Sequence, residues 1–265
     1  MSLERARTAL ASLGGSGAVR LDLSEPIAVL TLDHPQARNA LSPRMMLELE
    51  RAVSTLEAWP GALLLVKGAQ GVFCAGSDLR MVREAVASPE GPQIAAWMQA
   101  FMADVTRRIR ALPQISLAAV ERAAVGGGAE LMCAPDLRVI ASDAKVQFVH
   151  ARLGLSPGWG GAALLRGLVG RQRALQLLAS AAPVDLAGTP ELYTVLAGPS
   201  QAEEVGMSVL EGYSAHPPES LRGLKRALHS PADEATVFAS LWGGPAQRAA
   251  LARLDKGLPK GRKAD

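Results

Sequence analysis

Residues 18–23 alternate apolar and polar side chains, and residues 27–32 repeat the alternation after Ser24-Glu25-Pro26. A period of two broken at a proline turn predicts a β-hairpin. A polar loop follows over 34–42, and beyond it the period changes. Ser42-Pro43 supplies a capping hydroxyl and a proline for the first helical turn. Met46, Leu49, Val53 and Leu56 then share one helical face until Trp59-Pro60 ends the run. A short apolar run over 62–66 predicts a buried strand, and the loop over 68–78 is punctuated by glycines. A second long helix is predicted over 92–112, with Ile94, Met98, Phe101, Val105 and Ile109 on its inner face. Strand, glycine turn and short helix follow over 115–133, a further strand over 137–141, and a loop over 148–161. From about residue 164 the pattern is helical, except over 182–200, where proline and glycine break every period. Alternating β and α runs predict an α/β fold built from right-handed crossovers.

Composition restricts the class further. Of 265 residues, 49% are hydrophobic and 20% charged, which fits a protein with a sizeable core and excludes a disordered chain. Aromatic residues make up only 4%, so Ala, Leu and Val must fill the interior. The net charge of +3 is small, and outside the tail residues Lys256, Lys260, Arg262 and Lys263 the basic residues are spread out. That distribution argues against nucleic-acid binding. Cys74 and Cys133 lie in separate apolar stretches, as expected of reduced core thiols in a cytoplasmic protein. Residues 1–17 carry charges and no unbroken apolar block, so neither a signal peptide nor a membrane span is expected.

Candidate chemistry centres on Ala124-Val125-Gly126-Gly127-Gly128-Ala129-Glu130-Leu131. Consecutive glycines between a strand and a helix leave backbone N–H groups uncovered by any Cβ. Taken alone, the run reads first as a tight turn with no ligand, because glycine is the usual turn residue. A second loop, Gly71-Val72-Phe73-Cys74-Ala75-Gly76-Ser77-Asp78-Leu79, also follows a strand and is built of small residues. It could expose the N–H of Ser77. Two such donors converging on one oxygen would form an oxyanion hole, suited to a thioester enolate. No Ser-His-Asp order, metal-ligand cluster or dinucleotide fingerprint is present. His34 is expected on a loop surface, and the basic tail in solvent or, through Lys256 or Lys260, near a phosphate on a neighbouring subunit.

The two glycine loops, together with Leu155-Ser156-Pro157-Gly158-Trp159-Gly160-Gly161 and His34-Pro35-Gln36-Ala37-Arg38-Asn39-Ala40-Leu41-Ser42, resemble the crotonase (enoyl-CoA hydratase/isomerase) superfamily. The resemblance implies a spiral ββα core, here over 1–190, and a C-terminal helical oligomerisation region over 191–265 that packs subunits into homotrimers or homohexamers. It implies oxyanion donors at the amides of Ser77 and Gly127, and coenzyme A contacts from Arg38, Ala40, Ala75, Gly76, Asp78 and Leu79. Coenzyme A would enter as part of the substrate, with no prosthetic group and no metal; an acyl carrier protein is the alternative carrier. The first catalytic glutamate of hydratases falls at Glu130. The second is replaced by His150, in a loop shorter than the hydratase one. Hydration wants one group to activate water and another to protonate carbon, so this replacement points away from it. Decarboxylating a malonyl-type thioester needs only an oxyanion hole, a poorly solvated carboxylate and a proton donor. Gly76-Ser77-Asp78-Leu79, Phe148-Val149-His150 with Pro157-Gly158-Trp159-Gly160-Gly161, and Leu241-Trp242-Gly243-Gly244-Pro245-Ala246 resemble the ethylmalonyl-CoA decarboxylases of the superfamily. Hydration or isomerisation of an enoyl thioester is the alternative.

Overall fold

A computed structural model describes residues 2–257. The hairpin forms as expected: β1 (Ala18–Asp22) and β2 (Ile27–Asp33) pair antiparallel, with Leu21 opposite Leu30. From β2 the sheet continues in parallel through β3 (Leu63–Gly68), β4 (Ile115–Val120), β6 (Leu137–Ala141) and β8 (Val195–Ala197). Its central strands are buried on both faces, which is why β3 reads Leu-Leu-Leu-Val rather than alternating. A second, two-stranded parallel sheet pairs β5 (Ala123–Val125) with β7 (Lys145–Gln147).

Ten helices are described. In α2 (Pro43–Ala58), Ser42 Oγ accepts from the Met45 amide at 3.2 Å, the cap that its Ser-Pro start foretells. The second long helix is α4 (Gly91–Ala111). Two helices were not expected from the pattern. In α1 (Leu3–Leu13) only Ala6 and Leu10 are buried, too few to mark a stripe, yet the helix packs on α4 and α2. The other, α3 (Leu79–Ala87), buries no residue fully. After the short α5 (Gly127–Met132), α6 (Gly161–Ser180) is followed by the aperiodic segment containing β8. Arg138, 5% exposed on β6, fastens that segment by donating to the carbonyl of Leu192, and also donates to those of Pro135 and Asp136.

Helix α7 (Ala202–Ser214) covers β3, β4 and β6. Thus β8 and α7, both packed on the core, lie in the stretch over 191–265 that the resemblance assigns to the C-terminal region. The chain ends in α8 (Pro218–His229), α9 (Glu234–Leu241) and α10 (Pro245–Gly257). Lys225 ties α8 to the sheet: its Nζ donates to Gln114 O and to Asp136 Oδ2, each at 2.7 Å. Lys260, Arg262 and Lys263 lie outside the described residues, as does the side chain of Lys256. No described helix is long and apolar enough to cross a membrane.

Candidate active site

The 71–79 loop is held on both sides by strand-like pairing. On one side the Cys74 amide donates to Ala123 O at 2.9 Å and the Val125 amide donates to Cys74 O at 3.0 Å, so Cys74 lines up beside β5. On the other, Leu41 pairs with the residues flanking Ser77: its amide donates to Gly76 O at 2.7 Å and its carbonyl accepts from the Asp78 amide at 3.1 Å. Backbone groups alternate sides along an extended chain. With Gly76 and Asp78 turned toward Leu41, the Ser77 N–H points away from it. That amide has no acceptor among the described residues.

The Gly127 amide is also without an acceptor, because Gly127 opens α5 and the first N–H groups of a helix have no intrahelical partner. The two loops touch. A Cβ built on Gly76 would lie 2.7 Å from Val125 O and 3.2 Å from the Gly127 nitrogen, and one on Gly128 would lie 2.2 Å from Cys74 O. Side chains at either position would force the loops apart. Gly126, at φ 57° and ψ −123°, holds a conformation suited to glycine and bonds through its amide to Gln147 O at 2.9 Å. A Cβ on Gly127 would meet the Trp159 ring at 2.4 Å.

Glu130 and His150 come into direct contact. His150 Nε2 lies 2.9 Å from Glu130 Oε1, with the residues 9% and 1% exposed. Glu130 also gathers the 158–161 loop. Oε2 accepts from the amides of Trp159 at 2.7 Å and Gly161 at 2.9 Å, and Oε1 accepts from Gly158 at 3.3 Å. Thr106 on α4 completes the clamp by donating to Trp159 O at 2.5 Å. His150 sits on a 3₁₀ turn, Val149–Leu153, and its Nδ1 is buried with no hydrogen-bond partner among the described residues.

The expected coenzyme A residues fall around one neighbouring loop. Arg38 and Asn39 are both left-handed, at φ 53° and 56°. Asn39 was not singled out by the sequence, yet it is fully buried and knits this region. Its Oδ1 accepts from the His34 amide at 2.8 Å, and its Nδ2 donates to Ala69 O at 2.9 Å and Val72 O at 2.5 Å. Arg38 is exposed; its carbonyl accepts from the Ala75 amide at 3.0 Å. Ala40 is buried and Leu79 exposed. The Asp78 carboxylate caps α3 by accepting from the Arg80 amide at 2.8 Å. Beside this loop a cavity of about 600 Å³ is lined by His34, Gln36, Ala37, Asp78, Arg80 and Arg83 among others.

One expectation is corrected. His34 is not on a loop surface but 6% exposed, because its ring spans two segments. Nδ1 is 3.0 Å from Ala40 O and must donate to that carbonyl, while Nε2 lies 2.9 Å from Ser16 Oγ. Cys74 and Cys133 are buried core thiols whose ionisation burial pushes up to about 12, so neither supplies a nucleophile. Among the described residues no group of His, Cys, Asp and Glu is placed to hold a metal. A cavity of about 920 Å³ lies among α8, α9 and α10, and none of Ser77, Gly127, Glu130 or His150 lines it.

A sequence model described as "Enoyl-CoA hydratase/isomerase" matches residues 22–240. The chain belongs to this family. Among curated relatives, one from Danio rerio named "Ethylmalonyl-CoA decarboxylase" is 41% identical, covering 93% of this chain and 86% of its own length. An enoyl-CoA hydratase from Polaromonas sp. JS666 superposes with a TM-score of 0.81 at 26% identity, over 91% of this chain and 98% of its own. A protein from Thermobifida fusca YX solved in complex with CoA superposes with a TM-score of 0.71 at 27% identity, over 94% and 97%. The crotonase-type α/β fold is therefore that of the family, as the motifs implied.

Proposed function

We propose that this enzyme decarboxylates ethylmalonyl- or methylmalonyl-type acyl-CoA thioesters. The observation that carries this reading is local. Where hydration needs a second carboxylate, the site has His150, and the remaining carboxylate, Glu130, already accepts four hydrogen bonds. Little is left to activate water. A relative 41% identical over most of both chains bears the name of the same reaction. The amides of Ser77 and Gly127 hold the thioester oxygen as it becomes negative, which removes the largest part of the barrier to losing CO2. A substrate carboxylate held out of water there would be poorly solvated, which favours its departure. Glu130 and His150 manage the proton that then reaches the α-carbon.

The two loops bearing Arg38 and Ala40, and Ala75, Gly76, Asp78 and Leu79, receive the coenzyme A portion, with Arg80 and Arg83 beside them as cations for its phosphates. An acyl carrier protein would present the same thioester. Exposed Leu224, Leu228, Phe238 and Trp242 on and beside α8 and α9 favour a homotrimer or a homohexamer. Two free, buried cysteines fit a reducing compartment such as the cytoplasm. Purified protein is expected to release CO2 from ethylmalonyl- or methylmalonyl-CoA. No release from either, with turnover of crotonyl-CoA instead, would transfer the assignment to hydration.

A further inference from the structure

His150 and Glu130 meet through one nitrogen only. A carboxylate oxygen accepts and an imidazole nitrogen 2.9 Å away must donate, so the proton on the neutral ring belongs to Nε2. Nδ1 is then the ring's lone pair, and it is buried without a partner among the described residues. Buried polar atoms in folded proteins are nearly always paired, so an unpaired one beside a candidate active site calls for an explanation, and a catalytic role is one. Nearby geometry places the turn that carries this ring. Val149, next to His150 on the same 3₁₀ turn, comes within 3.4 Å of a Cβ built on Gly126. The turn therefore sits against the glycine loop that presents the Gly127 amide. Glu130 is placed differently. Three backbone amides and His150 occupy its acceptor positions, so it has no free position for a substrate proton.

We propose that Glu130 is a positioning residue that locks His150 in its Nε2–H form, and that Nδ1 of His150 is the atom that delivers the proton to the substrate's α-carbon. The first half stands on the contacts alone; the second rests on the decarboxylase reading. Before reaction the ring is protonated on both nitrogens and faces the Glu130 carboxylate. The bond between the α-carbon and the substrate carboxylate breaks, CO2 leaves, and the bonding pair becomes the enolate, with its charge on the thioester oxygen. The Nδ1 proton then moves to the α-carbon and the thioester carbonyl re-forms. The ring is left neutral, still donating from Nε2 to Glu130, and regains a proton from water at Nδ1. Each turnover thus consumes one solvent proton and releases one CO2.

Nitrogen-15 NMR of the histidine rings tests the first half without any turnover. With four histidines in the chain, the His150 signals are assigned by their loss in His150→Gln. The neutral ring is expected as the Nε2–H tautomer in the wild type, with that preference lost in Glu130→Gln. A wild-type Nδ1–H tautomer, or an unchanged tautomer in Glu130→Gln, would overturn the lock. Turnover in D2O tests the second half. The wild type is expected to place deuterium on one face of the α-carbon. His150→Gln, which keeps the three backbone bonds of Glu130, is expected to lose ~10²-fold in kcat with KM within about threefold, and to give product labelled on both faces. Unchanged rate and single-face labelling in His150→Gln would overturn proton delivery. An inactive wild type with the predicted tautomer would remove the decarboxylase reading and with it the delivery step, leaving the lock in place.

Discussion

Lys225 and His150 are buried to the same degree, 8% and 9% exposed, and each faces a carboxylate, at 2.7 and 2.9 Å. Around Lys225 the bonds turn inward. Its ammonium serves Gln114 O and Asp136, and Asp136 Oδ2 accepts in addition from the amide and hydroxyl of Ser116 at 2.8 and 2.9 Å. Burial drives the Lys225 pKa down and the Asp136 charge only partly restores it, so the pair persists because the fold surrounds it. Around His150 one nitrogen is tied to Glu130 and the other has no partner among the described residues. A cluster that holds α8 to the sheet uses its charges on the protein. The one proposed to do chemistry keeps a ring nitrogen unpaired among the described residues, while its carboxylate gathers the 158–161 loop.

The sharpest way to break this contrast is Lys225→Ala. Removing one partner of a buried ion pair leaves the other uncompensated, so unfolding in denaturant is expected to show a loss of about 3 kcal/mol or more. The rate per folded molecule should stay near that of the wild type. A Lys225→Ala protein of normal stability and reduced kcat would reverse the roles assigned to the two clusters. Gly127→Ala mixes both effects. Its Cβ would lie 2.4 Å from Cζ3 of Trp159, whose amide is held by Glu130. A stability loss of roughly 1–3 kcal/mol is expected together with a fall in kcat, read by denaturant melts and initial rates.

Asn39→Ala probes the coenzyme A loop. It strips three hydrogen bonds from a buried side chain and is expected to cost about 1–3 kcal/mol, with KM for acyl-CoA rising more than kcat falls. The smallest effect concerns Glu50, which lies between Arg108 and Arg7 at 2.8 and 2.9 Å. Burial alone would raise its pKa, but the two arginines outweigh that and hold it below 4.5. A carboxyl with a depressed folded value stabilises the fold above 4.5 and loses that contribution as pH falls through the folded value. Stability should therefore decline on acidification below about pH 4.5, and less steeply in Arg108→Ala. Equal slopes for the two proteins would remove Glu50 from that account.

Much of this architecture was legible because it is periodic. The face of Met46, Leu49, Val53 and Leu56 predicted α2, and the unbroken apolar run predicted β3. What escaped had little periodicity to read. The strand β8 is three residues long, and α1 buries only two side chains. At the site, Glu130 and His150 could each be singled out by residue type and place, but their contact depends on β6 and β7 bringing separate segments together. The clamping roles of Asn39 and Thr106 escaped for the same reason: each bonds backbone groups more than thirty or fifty residues away, which no local pattern encodes.

The most direct test is the initial rate of CO2 release from ethylmalonyl-CoA by the wild type and by folded His150→Gln, at matched pH and saturating substrate. Steady release by the wild type, reduced ~10²-fold in the variant with thermal stability little changed, is the predicted result. Equal release from the two proteins would contradict the claim that the imidazole beside Glu130 carries the chemistry.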